Sequence, residues 1–218
     1  MDSHKNKHLK LKTERCKLKQ QKLEKDNKLH KRTWNEEMAD LFIAEMPKPV
    51  PNSEKTIYRP LREKEPRLYR IWDVSQKFLF LVNNIIVANA GNSNAPEVFM
   101  EVFPNTALDP KMQPIFMGPN GRKYSLSCVK DDGDEPQLQL KEIDIKKLYN
   151  QNQDSLNFTF YSKTDGSPET CSFESAEFPG WFMSTSPEPN KPVGLSRQGG
   201  AENTLFYFQR HSNTMMLQ

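Results

Sequence analysis

The side chains of this sequence best suited to chemistry are four histidines, three cysteines and one acidic cluster. Their placement points away from catalysis. His4, His8, His30 and His211 all lie outside residues 67–210, the part of the chain with the strongest pattern. A Ser–His or Cys–His nucleophile needs an imidazole within reach of the hydroxyl or thiol, and zinc wants a full set of Cys and His ligands. Cys128 and Cys171 alone cannot close such a site. Asp131, Asp132, Asp134 and Glu135 bunch around Asp132-Gly133. A Ca²⁺ loop would require the EF-hand spacing and its distal Glu. Both are missing, so the cluster reads as a solvated hairpin tip. No Gly-rich phosphate loop of standard spacing is present, and no carboxylate pair stands out for glycoside chemistry. The expectation is a protein with no catalytic residues, metal or cofactor, whose function is binding by loops on a rigid scaffold.

The elements that must carry such a surface follow from the pattern along the 218 residues. Residues 1–33 carry 12 Lys+Arg against 4 Asp+Glu, a net of +8. Their leucines fit neither a helix stripe nor a heptad, so this segment reads as a basic arm, disordered or partly helical. In residues 34–46, Trp34, Met38, Leu41 and Phe42 fall on one face of a short helix, with Glu36, Glu37 and Asp40 near its start. Pro47, Pro49 and Pro51 end it, and residues 47–66 read as a Pro-rich linker. The segment 34–66 is net −2 and the remainder net −3, so the total of +3 describes no single part. From residue 67 to 210, about twelve short β runs alternate with turn signals such as Asn83-Asn84, Asn120-Gly121, Asp165-Gly166 and Pro179-Gly180, which is the spacing of an all-β sandwich or barrel. One turn of helix fits Ile143–Tyr149, and residues 211–218 form a C-terminal tail. Three cysteines without a CxxC pair read as free thiols of a reducing compartment, a Cys128–Cys171 bridge being the alternative. No apolar run is long enough to cross a bilayer, and no apolar h-region follows the Lys-rich start, so no secretory signal peptide is expected.

A longer pattern is carried by Phe173, Ser175, Ala176, Pro179, Phe182, Ser184, Thr185 and Val193. It resembles the signature of the interleukin-1 cytokine family, departing only at Met183, where a branched aliphatic is usual. The likeness extends over about residues 67–210. Arg70-Ile71-Trp72-Asp73-Val74-Ser75-Gln76-Lys77, Ser125-Leu126-Ser127-Cys128-Val129-Lys130 and Phe206-Tyr207-Phe208-Gln209 are similar to the family's receptor-antagonist branch. Pro136–Glu142 and Ile145–Tyr149 are similar to its interleukin-36 branch.

The resemblance implies a β-trefoil: a short barrel of half the strands, capped by the other half, with pseudo-threefold symmetry. It implies a monomeric cytokine that binds an interleukin-1-type receptor with immunoglobulin-like domains. An agonist then recruits an accessory receptor chain; an antagonist does not. On this likeness Trp72, Gln76 and Tyr207 face the receptor. Trp72 and Tyr207 also fit the alternation of strand residues turned to the core, and Gln76 fits a plain turn. Leu205 stands where the antagonists have Lys, Ala90 where they have an aromatic contact, and Phe178 and Ser184 where they have Cys. An antagonist-like modulator of inflammatory signalling is the first reading, and an interleukin-36-like agonist is the alternative. The likeness also implies a cytoplasmic precursor released by an unconventional route and trimmed a short distance before an aliphatic-x-Asp motif. Ile71-Trp72-Asp73 fits that motif and places the new N-terminus near Arg62, in a segment suited to proteolysis. A reading of another class is an intracellular or nuclear regulator directed by Lys28-Leu29-His30-Lys31-Arg32. Contact of that arm with nucleic acid would be non-specific phosphate binding. The sequon Asn157-Phe158-Thr159 is expected to stay unmodified.

Overall fold

The computed structural model describes residues 31–45, 64–91, 96–130, 133 and 135–211. Of the sequence expectations, those on most of the basic arm, most of the Pro-rich linker, Cys16, Arg62, Asp131, Asp132, Asp134 and all but His211 of the C-terminal tail lie outside these residues. The described strands and helices all belong to one unit, Thr33–Gln218.

Thirteen strands and two α-helices are present among the described residues. Helix α1 spans Trp34–Ile43 and begins at a capping box: Thr33 accepts from the Glu36 N–H, and the Glu36 carboxylate accepts from the Thr33 N–H at 2.8 Å. These bonds satisfy backbone donors left over at a helix start. The strands are β1 (Arg67–Asp73), β2 (Phe78–Val82), β3 (Ile85–Asn89), β4 (Met100–Pro104), β5 (Pro114–Pro119), β6 (Ser125–Val129) and β7 (Gln137–Lys141). Helix α2 (Ile145–Gln151) follows, then β8 (Thr159–Thr164), β9 (Thr170–Ser175), β10 (Phe182–Ser184), β11 (Lys191–Pro192), β12 (Gly194–Ser196) and β13 (Phe206–His211). The thirteenth strand arises because the run around Val193 is split: Lys191–Pro192 pairs with β3, and Gly194–Ser196 pairs with β10.

Pairing closes a ring. Strand β1 pairs with β4, β4 with β5, β5 with β8, β8 with β9, β9 with β13, and β13 returns to β1. Closure leaves this ring no free edge. The hairpins β2–β3, β6–β7 and β10–β12 are inserted between ring strands, one per third of the ring. Each third therefore reads ring strand, hairpin, ring strand, which is the β-trefoil. No internal sequence repeat announces it, because the symmetry lives in pairing and each third fills its share of the core with different side chains.

Local chemistry sets the turns. Asn83 and Asn84 take φ of 50° and 60°, the two-residue hairpin conformation that Asn tolerates. Phe178-Pro179-Gly180-Trp181 is closed by the Trp181 N–H donating to the Phe178 carbonyl at 3.1 Å, with Gly180 at φ 81°. Pro before a left-handed Gly is the composition of a type II turn. Tyr69, Ile71, Met100, Val102, Ile115, Met117, Phe160, Cys171, Phe173, Phe206 and Phe208 fill the barrel. Trp34, Met38, Leu41 and Phe42 of α1 belong to the same cluster, while α2 packs Ile145 and Leu148 against Phe103, Phe116 and Phe158.

Candidate functional site

Strands β1 and β13 are antiparallel, in the register Arg70↔Gln209, Ile71↔Phe208, Trp72↔Tyr207, Asp73↔Phe206. Successive side chains point to opposite faces. Tyr69, Ile71, Phe206 and Phe208 are buried inside, and Trp72 and Tyr207 emerge together, half-buried, on the outer face. Their rings stack at 5.8 Å between centroids with 26° between planes, and Phe78 of β2 lies 5.7 Å from Trp72 on the other side. Arg70 caps the strip, its Cζ 4.2 Å from the Phe78 ring centroid and 5.8 Å from that of Trp72. It is held there by a two-pronged pair with Glu97: Nε to Oε1 at 2.6 Å and Nη2 to Oε2 at 2.8 Å. Hydrogen bonding to Glu97 holds the guanidinium pKa above its ordinary value, against the opposing effect of partial burial. The result is a rigid aromatic strip with a fixed cation, an arrangement that gains much contact area at little entropy cost when a partner covers it.

The end of the strip is fixed from beneath by a buried carboxylate. Asp73 is 0% exposed and Lys77 4%. Oδ1 of Asp73 accepts from the backbone N–H groups of Ser75 (2.9 Å) and Lys77 (2.8 Å). Oδ2 accepts from Thr185 Oγ1 (2.6 Å) and Asn203 Nδ2 (3.3 Å) and lies 3.3 Å from Lys77 Nζ, which also donates to the Ser186 carbonyl. A buried charge persists where it is paired and hydrogen-bonded. The grip folds Val74–Lys77 into a tight turn and holds Gln76 in the left-handed region at φ 61°, exposed at the tip. Thr185 belongs to the Phe173–Val193 signature and Asp73 closes Ile71-Trp72-Asp73, so two sequence motifs meet at one hydrogen bond.

Of the sequence-derived candidates, Trp72 and Tyr207 are thus in contact, and Gln76 stands one turn beyond them. Leu205 is two residues before Tyr207. Its carbonyl accepts from the Val74 N–H at 3.3 Å, and its side chain lies over Gly166, where a Cβ would come within 2.6 Å of Leu205 Cδ1. Its side chain therefore stands beside the strip, facing the Asp165–Gly166 turn. Ala90 is exposed after β3, and residues 92–95 lie outside the described part. Sequence reasoning did not single out Arg70, Phe78, Glu97 or the roles of Asp73 and Lys77. The i, i+2 spacing of Arg70 and Trp72 was a usable signal for the first; nothing local marks Glu97, which arrives from 27 residues away.

Cys128 and Cys171 are both buried and unbridged. Burial pushes the Cys128 thiol up to about 12 and that of Cys171 well above its ordinary value. No group of three or more His, Cys, Asp or Glu that could hold a metal occurs among the described residues.

A family model described as Interleukin-1 / 18 matches residues 88–213. The chain belongs to the interleukin-1 family. Within that family, the interleukin-1 receptor antagonist protein of Sus scrofa is 40% identical over 162 residues, covering 72% of this chain and 87% of that protein. The interleukin-36 receptor antagonist protein of Homo sapiens is 40% identical over 151 residues, covering 65% of this chain and 94% of that protein. Among solved structures, chicken interleukin 1 beta superposes with a TM-score of 0.57 at 31% identity, covering 67% of this chain and 97% of that one. Interleukin-36alpha superposes with a TM-score of 0.56 at 32% identity, covering 70% and 98%. Both the expected family and the trefoil stand. Among the described residues, no helix of this interleukin-1 family member is long and apolar enough to cross a membrane.

Proposed function

We propose that this chain is a released cytokine that occupies an interleukin-1-type receptor as an antagonist of inflammatory signalling. The observation that carries the site assignment is the Trp72–Tyr207 stack on the outer face of β1–β13, capped by Arg70 and locked from beneath by Asp73. The strip and Gln76 are assigned to the receptor's immunoglobulin-like domains. Receptor-antagonist proteins of two branches, at about 40% identity, support the antagonist sense. In this reading the protein acts as a monomer and leaves the accessory receptor chain unrecruited. A cytoplasmic precursor trimmed near Arg62 is part of the same proposal.

Leu205 favours a second reading. An apolar side chain stands beside the strip, next to the Gly166 turn, where the antagonists resembled carry a cation, and this suits an interleukin-36-like agonist that engages an accessory chain. The test is a signalling reporter in cells carrying one candidate receptor with its accessory chain. The antagonist reading expects no signal from the protein alone and dose-dependent blockade of a known agonist. Activation by the protein alone would move the assignment to the agonist. Neither effect, together with loss of nuclear accumulation on deleting residues 1–33, would favour the intracellular regulator.

A further inference from the structure

Helix α1 is gripped by the barrel through contacts with residues far from it in the sequence. Trp34 is fully buried in a cage of three rings: Tyr69 at 5.0 Å, Phe173 at 5.2 Å and Phe208 at 5.0 Å, the last two edge-on. The rings come from β1, β9 and β13, so the indole reaches across three staves of the barrel. Its N–H finds no acceptor, and the grip is one of packing. Met38, Leu41 and Phe42 continue the same face into the core. A polar rim surrounds it. Asn35 and Thr164 exchange two bonds, Asn35 N–H to Thr164 Oγ1 at 2.9 Å and Thr164 N–H to Asn35 Oδ1 at 2.7 Å. Buried Glu37 accepts from the Tyr69 hydroxyl at 2.9 Å and lies 3.5 Å from Arg210 and 3.8 Å from Arg67, whose guanidinium also donates to the Glu37 carbonyl at 2.6 Å.

An apolar stripe with a Trp anchor, seated among aromatic rings and ringed by sequence-distant hydrogen bonds, is the anatomy of helix-in-groove recognition. A tether mainly raises the local concentration of such a ligand and adds no contact. We infer that the Tyr69–Phe173–Phe208 end of the barrel is a binding site for an amphipathic helix, occupied by residues 33–43, and that the helix stays seated when the chain is cut between residues 46 and 63. A cut near Arg62 therefore yields a two-piece protein, not a barrel with an open end.

The test uses the full chain with a site-specific protease sequence inserted between Pro51 and Asn52, folded first and cut afterwards. The expected result is co-elution of both pieces from a sizing column at a concentration on the order of 1 μM, and exchange of a labelled peptide spanning residues 31–45 into the cut protein. Trp34→Ala should weaken peptide binding on the order of a hundredfold. Asn35→Ala, at an exposed position that leaves the core intact, should weaken it by a few-fold. Separation of the pieces from cut wild-type protein, with the strand circular dichroism of the larger piece unchanged, would overturn the inference. So would equal retention of wild type and both variants. The readout is physical separation, so it is independent of receptor activity.

Discussion

The two faces of the β1–β13 ribbon use the same residue types for opposite ends. On the inner face, Tyr69, Phe206 and Phe208 are sealed against Trp34 and Phe173. On the outer face, Trp72 and Tyr207 stack while remaining partly exposed, capped by a charged Arg70. Hydrophobicity does not separate the core tryptophan, Trp34, from the outer-face tryptophan, Trp72. What separates them is strand parity and what else arrives: a helix covers one face, and a single guanidinium fixed by Glu97 borders the other. Asp73 sits at the junction, part of the buried interior yet shaping the turn that presents Gln76.

The comparison can be broken most strongly at that junction. Asp73→Ala leaves the Lys77 ammonium buried without its carboxylate and frees the Val74–Lys77 turn, so it should cost about 3–5 kcal/mol of stability and lower receptor affinity as well; denaturant unfolding and receptor binding read the two losses. Trp34→Ala should cost a similar ~3–5 kcal/mol by leaving a cavity among three rings, but with affinity per folded molecule preserved, because the outer strip is untouched. Trp72→Ala reverses that pattern. It should weaken receptor binding by about 2 kcal/mol or more, roughly thirty-fold, while the thermal midpoint shifts far less than for Trp34→Ala.

The buried thiols sharpen the inner face by pH. Cys128 has its folded pKa raised from an ordinary 9.0 to about 12 by burial. The folded state thus holds its proton where the unfolded chain has lost it, and the resulting stabilisation is complete below pH 9.0 and declines as pH rises toward about 12. Alkylation at about pH 8 should leave Cys128 and Cys171 unmodified until denaturant is added, since only the exposed thiolate reacts. The smallest effect is at the tip. Gln76→Gly relieves a left-handed conformation that costs a side-chain-bearing residue about 1–2 kcal/mol, so stability should hold or rise slightly while the receptor loses whatever the amide contributes.

Much of this was legible in the sequence, for physical reasons that differ by element. The face of α1 was readable because Trp34, Met38, Leu41 and Phe42 repeat at helical spacing; its docking into the barrel was not, because the rings that receive it lie at positions 69, 173 and 208. The turns at Asn83-Asn84 and Pro179-Gly180 were readable from backbone preference alone. The split of the Val193 run into two strands was not, since it depends on which neighbours compete for its backbone. Trp72 and Tyr207 could be named individually through the family pattern, but their stacking follows from the register of β1 on β13. Glu37 looked like a helix-start charge and turns out to be buried against Tyr69, with Arg67 and Arg210 close by, a role set wholly by tertiary structure.

The central claim is that the outer strip, and not merely the fold, is the contact made with the receptor. Its most direct measurement is the affinity of the full chain and of Trp72→Ala for the isolated receptor ectodomain, with the unfolding midpoint of each recorded alongside. The account predicts a loss of roughly thirty-fold or more in affinity with little change in midpoint. Equal affinities for the two proteins would contradict it.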